Sequence, residues 1–318
     1  MDLSIIIVNW NSTDYLRSCL SSLYQRARGF TFETIVVDNA SSDDCETLIR
    51  GEFSSVVFVQ SGQNLGFTRA NNLGFSHSTG RILLFLNPDT EVMGDALDGM
   101  LAYLLSHPSA GAVGARLLNT DGSLQTSCVQ ALPTISNQLL DFEVLRRAFP
   151  TWSLWGMSAL FDGNGSPREV EAISGACFMV KRSVFEQIGC FSEEYFMYAD
   201  DLDLSWKIRN AGFGLFYLNG CEVVHHGGKS SAKQEDHFAD LAQRKALLQF
   251  FRKSKGAFYS NLYRCSLAAI AALRLAVVFC LIPFGGSGLQ GQMPGSVLRK
   301  WAKILSWALG LNAGPRAA

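Results

Sequence analysis

Residues 81–91, RILLFLNPDTE, decide the fold. Residues 82–86 form an unbroken apolar run, the pattern of a strand buried on both faces of a sheet. The run stops at Asn87-Pro88-Asp89, where proline cannot donate to a ladder and the chain must turn. A carboxylate therefore stands just past the carboxyl end of a central strand. Open α/β sheets bind ligands there, because the turns diverge and leave a crevice. Taken alone, Asp89 serves equally well as turn chemistry or as the N-cap of a following helix.

Upstream, the same grammar repeats. Residues 3–8 read as a first buried strand ending at Asn9-Trp10-Asn11, with Ser12 or Thr13 expected to cap the next helix. A second strand over 34–37 ends in Asp38-Asn39-Ala40-Ser41, and a third over 56–60 leads to Asn64-Leu65-Gly66-Phe67. Strands alternating with helices at this spacing predict parallel crossovers and a doubly wound half-sheet. Asp38-Asn39-Ala40-Ser41 reads either as a helix-capping loop or as a nucleotide subsite whose carboxylate accepts bonds from a base or ribose. No GxGxxG follows the first strand and no GxxxxGK[ST] occurs, so dinucleotide binding is unsupported and a P-loop is excluded.

Downstream, residues 112–118, an Asp121-Gly122 turn and residues 124–128 predict a β-hairpin. Residues 129–170 mix Trp152, Trp155 and Phe161 with a turn-rich stretch at 162–165, and the aromatics are expected to pack conventionally. Gly175 opens a strand that runs to residue 180. Asp200-Asp201-Leu202-Asp203 then opens a helix that ends before Gly212. Carboxylates suit a helix N-terminus, but three within four positions repel one another and one suffices as a cap. The surplus points to function. Another strand leads into His225-His226-Gly227-Gly228-Lys229-Ser230, a reasonable metal or phosphate ligand set.

The net charge of −1 hides an asymmetry: residues 1–240 hold all 28 Asp and Glu, whereas residues 241–318 hold 11 Lys and Arg and no acid. The expected division is thus a domain over 1–240 and a basic helical region over 241–318. Eight cysteines without a CxxC pair suit buried thiols in a reducing compartment. The first residues lack the charged n-region and apolar h-region of a signal peptide. Residues 266–283 are apolar but carry Arg274 near the middle, which costs about 2.5–3.5 kcal/mol in a span. Cations flank both sides, and VLRKWAKILSWAL at 297–309 is amphipathic, so a helix or hairpin lying in a membrane interface is expected, with a single span as the alternative. Basic residues among aromatics also suit nucleic acid, but no RNA or DNA motif accompanies them, and no nucleic-acid partner is expected.

The ordered set IIIVNWNS, VVDNAS, NLGFTRANNLG, LFLNPDT, SGACFMVKRSVFEQIGCFSEEYFMYADDLDLSWKIRNAGF and HHGGKS resembles the family 2 glycosyltransferases, and within them the branch with rhamnosyltransferases of cell-surface polysaccharide assembly. The resemblance spans about residues 1–230. It implies an α/β chain of GT-A fold, a Rossmann-like half and an acceptor half around a mixed, mostly parallel sheet, followed by a C-terminal helical appendage. It further implies that Asn9, Asp38, Asn39, Asn64 and Asn87 line the nucleotide-sugar pocket. Asp89, in the DxD-type position, and His225 would hold a divalent cation, Mg²⁺ or Mn²⁺. Asp201 would be the catalytic base, with Gly175, Asp200 and Asp203 on the acceptor side. Asp200 stands where the family has Glu, one methylene longer. Implied partners are a nucleotide-sugar donor, leaning to dTDP-rhamnose, and a glycan or polyprenyl-diphosphate-linked acceptor. The place of action would be the cytoplasmic face of the cell membrane. A non-catalytic sugar-nucleotide-binding protein of the same fold is the alternative. A nucleotidyltransferase would want a Gly-rich basic loop after the first strand, and Asn9-Trp10-Asn11 is not one.

Overall fold

The computed structural model describes residues 1–141, 143–161, 165–227, 238–281 and 294–311. The chain forms two compact units: residues 1–132 with 146–233, and residues 133–145 with 234–318.

The first unit opens with β1 (Leu3–Asn9), α1 (Thr13–Arg26), β2 (Phe32–Asp38), α2 (Cys45–Glu52), β3 (Val57–Gln60), α3 (Gly66–Ser76) and β4 (Ile82–Leu86). It continues through β5 (Thr90–Val92), α4 (Ala96–Ser106), β6 (Ala110–Leu118), β7 (Val129–Gln130), β8 (Arg168–Val170), β9 (Ala172–Ile173), β10 (Cys177–Lys181), α7 (Arg182–Gln187), α8 (Asp200–Asn210) and β11 (Gly214–His225); α6 (Glu143–Ala148) has residues in both units. Among the described residues nine strands make one sheet, ordered β3-β2-β1-β4-β10-β6-β11-β5, with β8 beside β11. The half β3-β2-β1-β4 is parallel, as the strand–helix alternation predicts. Every residue of β4 is buried, which is why its sequence runs apolar without alternation. Beyond β4 the sheet turns mixed: β10 is antiparallel to β4 and β6, while β11 is parallel to β6 and antiparallel to β5.

Two local expectations fail. The 112–128 hairpin reduces to one bridge, Leu118 to Leu124, followed by a 3₁₀ turn at Thr126–Cys128. Residues 112–114 of β6 are flanked by β10 on one edge and β11 on the other, which leaves a hairpin partner only the end of the strand, at Leu117 and Leu118. Ser12 does not cap α1, since its hydroxyl donates to the Trp10 carbonyl (3.0 Å). The orphan N–H of Thr13 goes instead to the Asp43 carboxylate at 2.9 Å, a cap from 30 residues downstream. In the aromatic stretch Trp155 is buried, while Phe149 and Trp152 stack in the open, and residues 162–164 lie outside the described set.

The second unit holds α5 (Ile135–Leu139), α9 (Phe238–Leu281) and α10 (Pro294–Ala308). Thr134 and Asn137 close a capping box on α5. The helix α9 breaks at Gly256, whose φ of 87° a helix cannot hold. The apolar face of α10, including Trp301, Ile304, Trp307 and Ala308, is buried, and the helix packs along α9. That face was expected to lie in a membrane interface; the structure instead buries it inside the unit. Arg264 donates to the Trp307 and Ala308 carbonyls (3.0 and 2.9 Å), which satisfies the end of α10. Exposed apolar side chains lie on α9, among them Phe258, Leu273 and Phe279.

Candidate active site

Three loops at the carboxyl edge of the parallel half assemble the first part of the site. Asn9, Asp38 and Gln60 are neighbours in register at the ends of β1, β2 and β3. Asn9 Nδ2 donates to Asp38 Oδ1 at 3.2 Å, while the Ser41 N–H (3.2 Å) and Gln60 Nε2 (2.8 Å) donate to Oδ2. Asp38 is therefore a buried anion held by neutral donors, with lone-pair capacity left for a ligand. Asn39 continues the network: its Nδ2 donates to Asn64 Oδ1 (3.0 Å), and its Oδ1 accepts from the Leu65 N–H (2.8 Å).

The NLGFTRANN motif then acts as a clamp. Asn64 Oδ1 accepts from the Gly66 N–H, the Phe67 N–H donates to the Phe196 carbonyl (2.7 Å), and Asn72 exchanges two bonds with the Phe191 backbone. This ties the loops after β2 and β3 to the segment that leads into α8. That segment is strained: Tyr198 and Ala199 both have left-handed φ (69° and 56°). Asn11 and Ala40, in the loops after β1 and β2, do so as well. Among the described residues, four of the five such non-glycine positions thus border one crevice, where stored strain commonly marks function.

At the start of α8 the three carboxylates part company. Asp203 is enclosed, accepting from Ser192 Oγ (2.6 Å) and facing Tyr195 and Lys207. Asp201 accepts from the Gly175 N–H at 3.2 Å and the Leu202 N–H at 2.8 Å. Burial raises its pKa against the pull of those backbone donors. Asp200 is buried, and desolvation, reinforced by the Asp201 charge beside it, pushes it up to about 8. The turn that binds Asp201 also reaches the β4 end, because the Ala176 carbonyl accepts from the Asn87 N–H at 3.0 Å.

There the NPD turn meets the end of β11. Thr90 and His225 are paired in the β5–β11 ladder, and the His226 N–H donates to the Asp89 carbonyl (2.9 Å). His225 Nε2 consequently lies 3.4 Å from Asp89 Oδ1 and 3.3 Å from Asn87 Nδ2. Ligands about 2.1 Å from one octahedral ion stand about 3 Å apart when adjacent, so Asp89 and His225 fit a shared Mg²⁺ or Mn²⁺. Among the described residues no group of three or more His, Cys, Asp or Glu gathers. Such a two-ligand site suits a cation that completes its shell with substrate phosphates and water. Gly228, Lys229 and Ser230 lie outside the described residues. Gln60 and Gln125 carry bonds at the site that reading the sequence missed; an isolated amide gives no pattern to find.

The profile of glycosyl transferase family 2 matches residues 4–189. The chain is 28% identical over 286 residues to the N-acetylglucosaminyl-diphospho-decaprenol L-rhamnosyltransferase of Mycobacterium tuberculosis, covering 86% of this chain and 91% of that one. It is 25% identical over 231 residues to the rhamnosyltransferase WbbL of Escherichia coli K12, covering 70% and 82% respectively. In structure it resembles the mannosyltransferase PcManGT of Pyrobaculum calidifontis, solved with GDP-Man and Mn²⁺, with a TM-score of 0.59 at 18% identity over 98% of this chain and 86% of that one. The fold, a mixed and mostly parallel α/β sheet, is that of the GT-A glycosyltransferases. With the family profile covering more than half of the chain, this protein belongs to glycosyl transferase family 2 and is a glycosyltransferase.

Proposed function

We propose that the protein is an inverting, divalent-cation-dependent glycosyltransferase that moves a sugar, rhamnose in the first instance, from a nucleotide-sugar to a hydroxyl of a polyprenyl-diphosphate-linked glycan. The observation that carries this reading is the convergence of Asp89 and His225 at 3.4 Å in a crevice whose other wall, through residues 175–176, holds Asp201. Asn9, Asp38, Asn39, Asn64 and Asn87 are the donor-side residues. Asp89 and His225 hold the cation, which when bound neutralises charge on the departing nucleoside diphosphate. Asp201 Oδ takes the proton of the acceptor hydroxyl as its oxygen bonds to the anomeric carbon. The bond from that carbon to the phosphate oxygen breaks, and its electron pair leaves with the diphosphate. Gly175 orients Asp201, Asp200 adjoins it on the acceptor side, and Asp203 anchors the start of α8. The acceptor class follows the Mycobacterium relative, whose name specifies a decaprenyl diphosphate. Such an acceptor supports a place of action at the cytoplasmic membrane face.

The test follows nucleoside diphosphate release and, separately, calorimetric binding of the nucleoside diphosphate with Mn²⁺. Asp89→Ala should lose both turnover and the Mn²⁺ enhancement of binding. Asp201→Asn should keep binding while turnover falls by about 10²–10⁴, the usual range for a general base. Full Mn²⁺ enhancement in Asp89→Ala would remove that residue from the cation site.

A further inference from the structure

The side chain of His225 is gripped from behind by the 119–125 loop, the segment that does not form a hairpin. His225 Nδ1 lies 2.8 Å from Gln125 Oε1. Which of the two is the donor follows from the bonds on the far side of Gln125. Its Nε2 donates to Asn119 Oδ1 and to the His225 carbonyl, both at 3.0 Å, and neither of those oxygens can donate. The amide is therefore fixed with Oε1 toward the imidazole. Asn119 is fixed in turn: its Nδ2 donates to Ser123 Oγ (2.9 Å), whose hydroxyl donates to Asp121 Oδ1 (2.6 Å). Starting from a carboxylate that only accepts, every bond in the chain Asp121–Ser123–Asn119–Gln125–His225 has one allowed direction.

We infer that Gln125 is a positioning residue that holds His225 in the Nδ1–H tautomer and turns the Nε2 lone pair toward Asp89. On the opposite side of the ring Asn87 Nδ2 stands 3.3 Å from Nε2, a contact in which Nε2 accepts when the proton is on Nδ1. A lone pair 3.4 Å from a carboxylate oxygen is an arrangement that a cation between them satisfies. Residues behind a metal-binding histidine set its tautomer and commonly govern affinity by 10–100-fold. The inference rests on the cation site proposed above, yet its central element, the tautomer, is a property of the protein without metal.

The experiment uses the full chain with ¹⁵N-labelled histidine in the presence of a chelator, with the His225 signals assigned by their loss in His225→Asn. Long-range ¹H–¹⁵N correlations should show the Nδ1–H form in the wild type. Gln125→Leu should shift His225 toward the Nε2–H form usual for free imidazole. It should also weaken Mn²⁺ binding to the nucleoside diphosphate complex about 10–100-fold by electron paramagnetic resonance. Gln125→Glu, which still accepts from Nδ1 but cannot donate to the His225 carbonyl, should restore the Nδ1–H form in part. Asn119→Ala, which removes one of the two acceptors that orient the Gln125 amide and leaves the His225 carbonyl as the other, should give a smaller shift in the same direction and serves if Gln125→Leu does not fold. A wild-type Nε2–H form, or an unchanged tautomer in both Gln125→Leu and Asn119→Ala, would overturn the inference. An Nδ1–H wild type that responds to the variants but binds no Mn²⁺ would uphold the tautomer lock and refute the cation site.

Discussion

Asp200 and Asp201 are adjacent carboxylates placed where burial disfavours their charge. They titrate as a pair, so a turnover profile that needs the Asp201 anion should have its acid limb above the ordinary aspartate value of about 3.9. The same shift fixes a stability trend. With Asp200 raised to about 8, the folded chain holds a proton that the unfolded chain has released between roughly pH 4 and 8. The unfolded state binds fewer protons over that range, so stability falls as pH rises through it. Below the unfolded value both states are protonated and the penalty vanishes. Asp200→Asn, neutral at every pH, should therefore raise the melting temperature at pH 8–9 and change it little near pH 4. Thermal unfolding at those two pH values checks this; an equal shift at both would mean that the charge of Asp200 is not the cause.

At the scale of elements, α3 ties the loops after β2 and β3 to the segment that leads into α8. Gly66 opens it with φ +74°, and a Cβ there would stand 2.5 Å from the Phe196 carbonyl oxygen. Gly66→Ala should cost at least about 1–2 kcal/mol for the left-handed backbone alone. It should also release the Phe67–Phe196 bond, so that melting temperature and turnover fall together. Unchanged turnover in a folded Gly66→Ala variant would mean that the clamp does not position α8. The elements themselves were largely legible. Apolar runs ending in Asn9, Asp38 and Asp89 announce buried strands and their ligand edge, because burial on both faces leaves no alternation to misread. What was illegible depends on partners distant in sequence. The cap of α1 lies at Asp43, the edge that residues 124–128 would need along 112–114 of β6 is occupied by β10, and Gln125 acquires its role from His225, 100 positions on. The amphipathic α10 was misplaced for the same reason: its pattern shows that one face is buried, not what buries it.

For the whole molecule, the basic segment and the apolar surface of α9 bear on membrane attachment. Among the described residues one helix, Ala239–Cys280, is long and apolar enough to cross a membrane. We propose that the second unit lies on the bilayer surface rather than crossing it. Lys300 is paired with Asp240 at 2.6 Å and Arg264 is bound to α10, so not all 11 cations face outward. Each that does contributes about 1 kcal/mol at an anionic surface, screened within roughly 10 Å at 0.1 M salt. The full chain should sediment with anionic vesicles, and raising the salt should weaken that binding. Resistance to both salt and alkaline carbonate would indicate a span. Deleting the tail is the poorer experiment, because Pro133–Leu145 belongs to the same unit and the Ile135 N–H bonds to the Tyr259 hydroxyl. The central claim is a single displacement, with Asp201 as base and no carboxylate acting as nucleophile. The anomeric configuration of the first-formed product, read by nuclear magnetic resonance from the sugar C1 proton, tests it most directly. Inversion relative to the nucleotide-sugar is the expected result, and retention would contradict the mechanism.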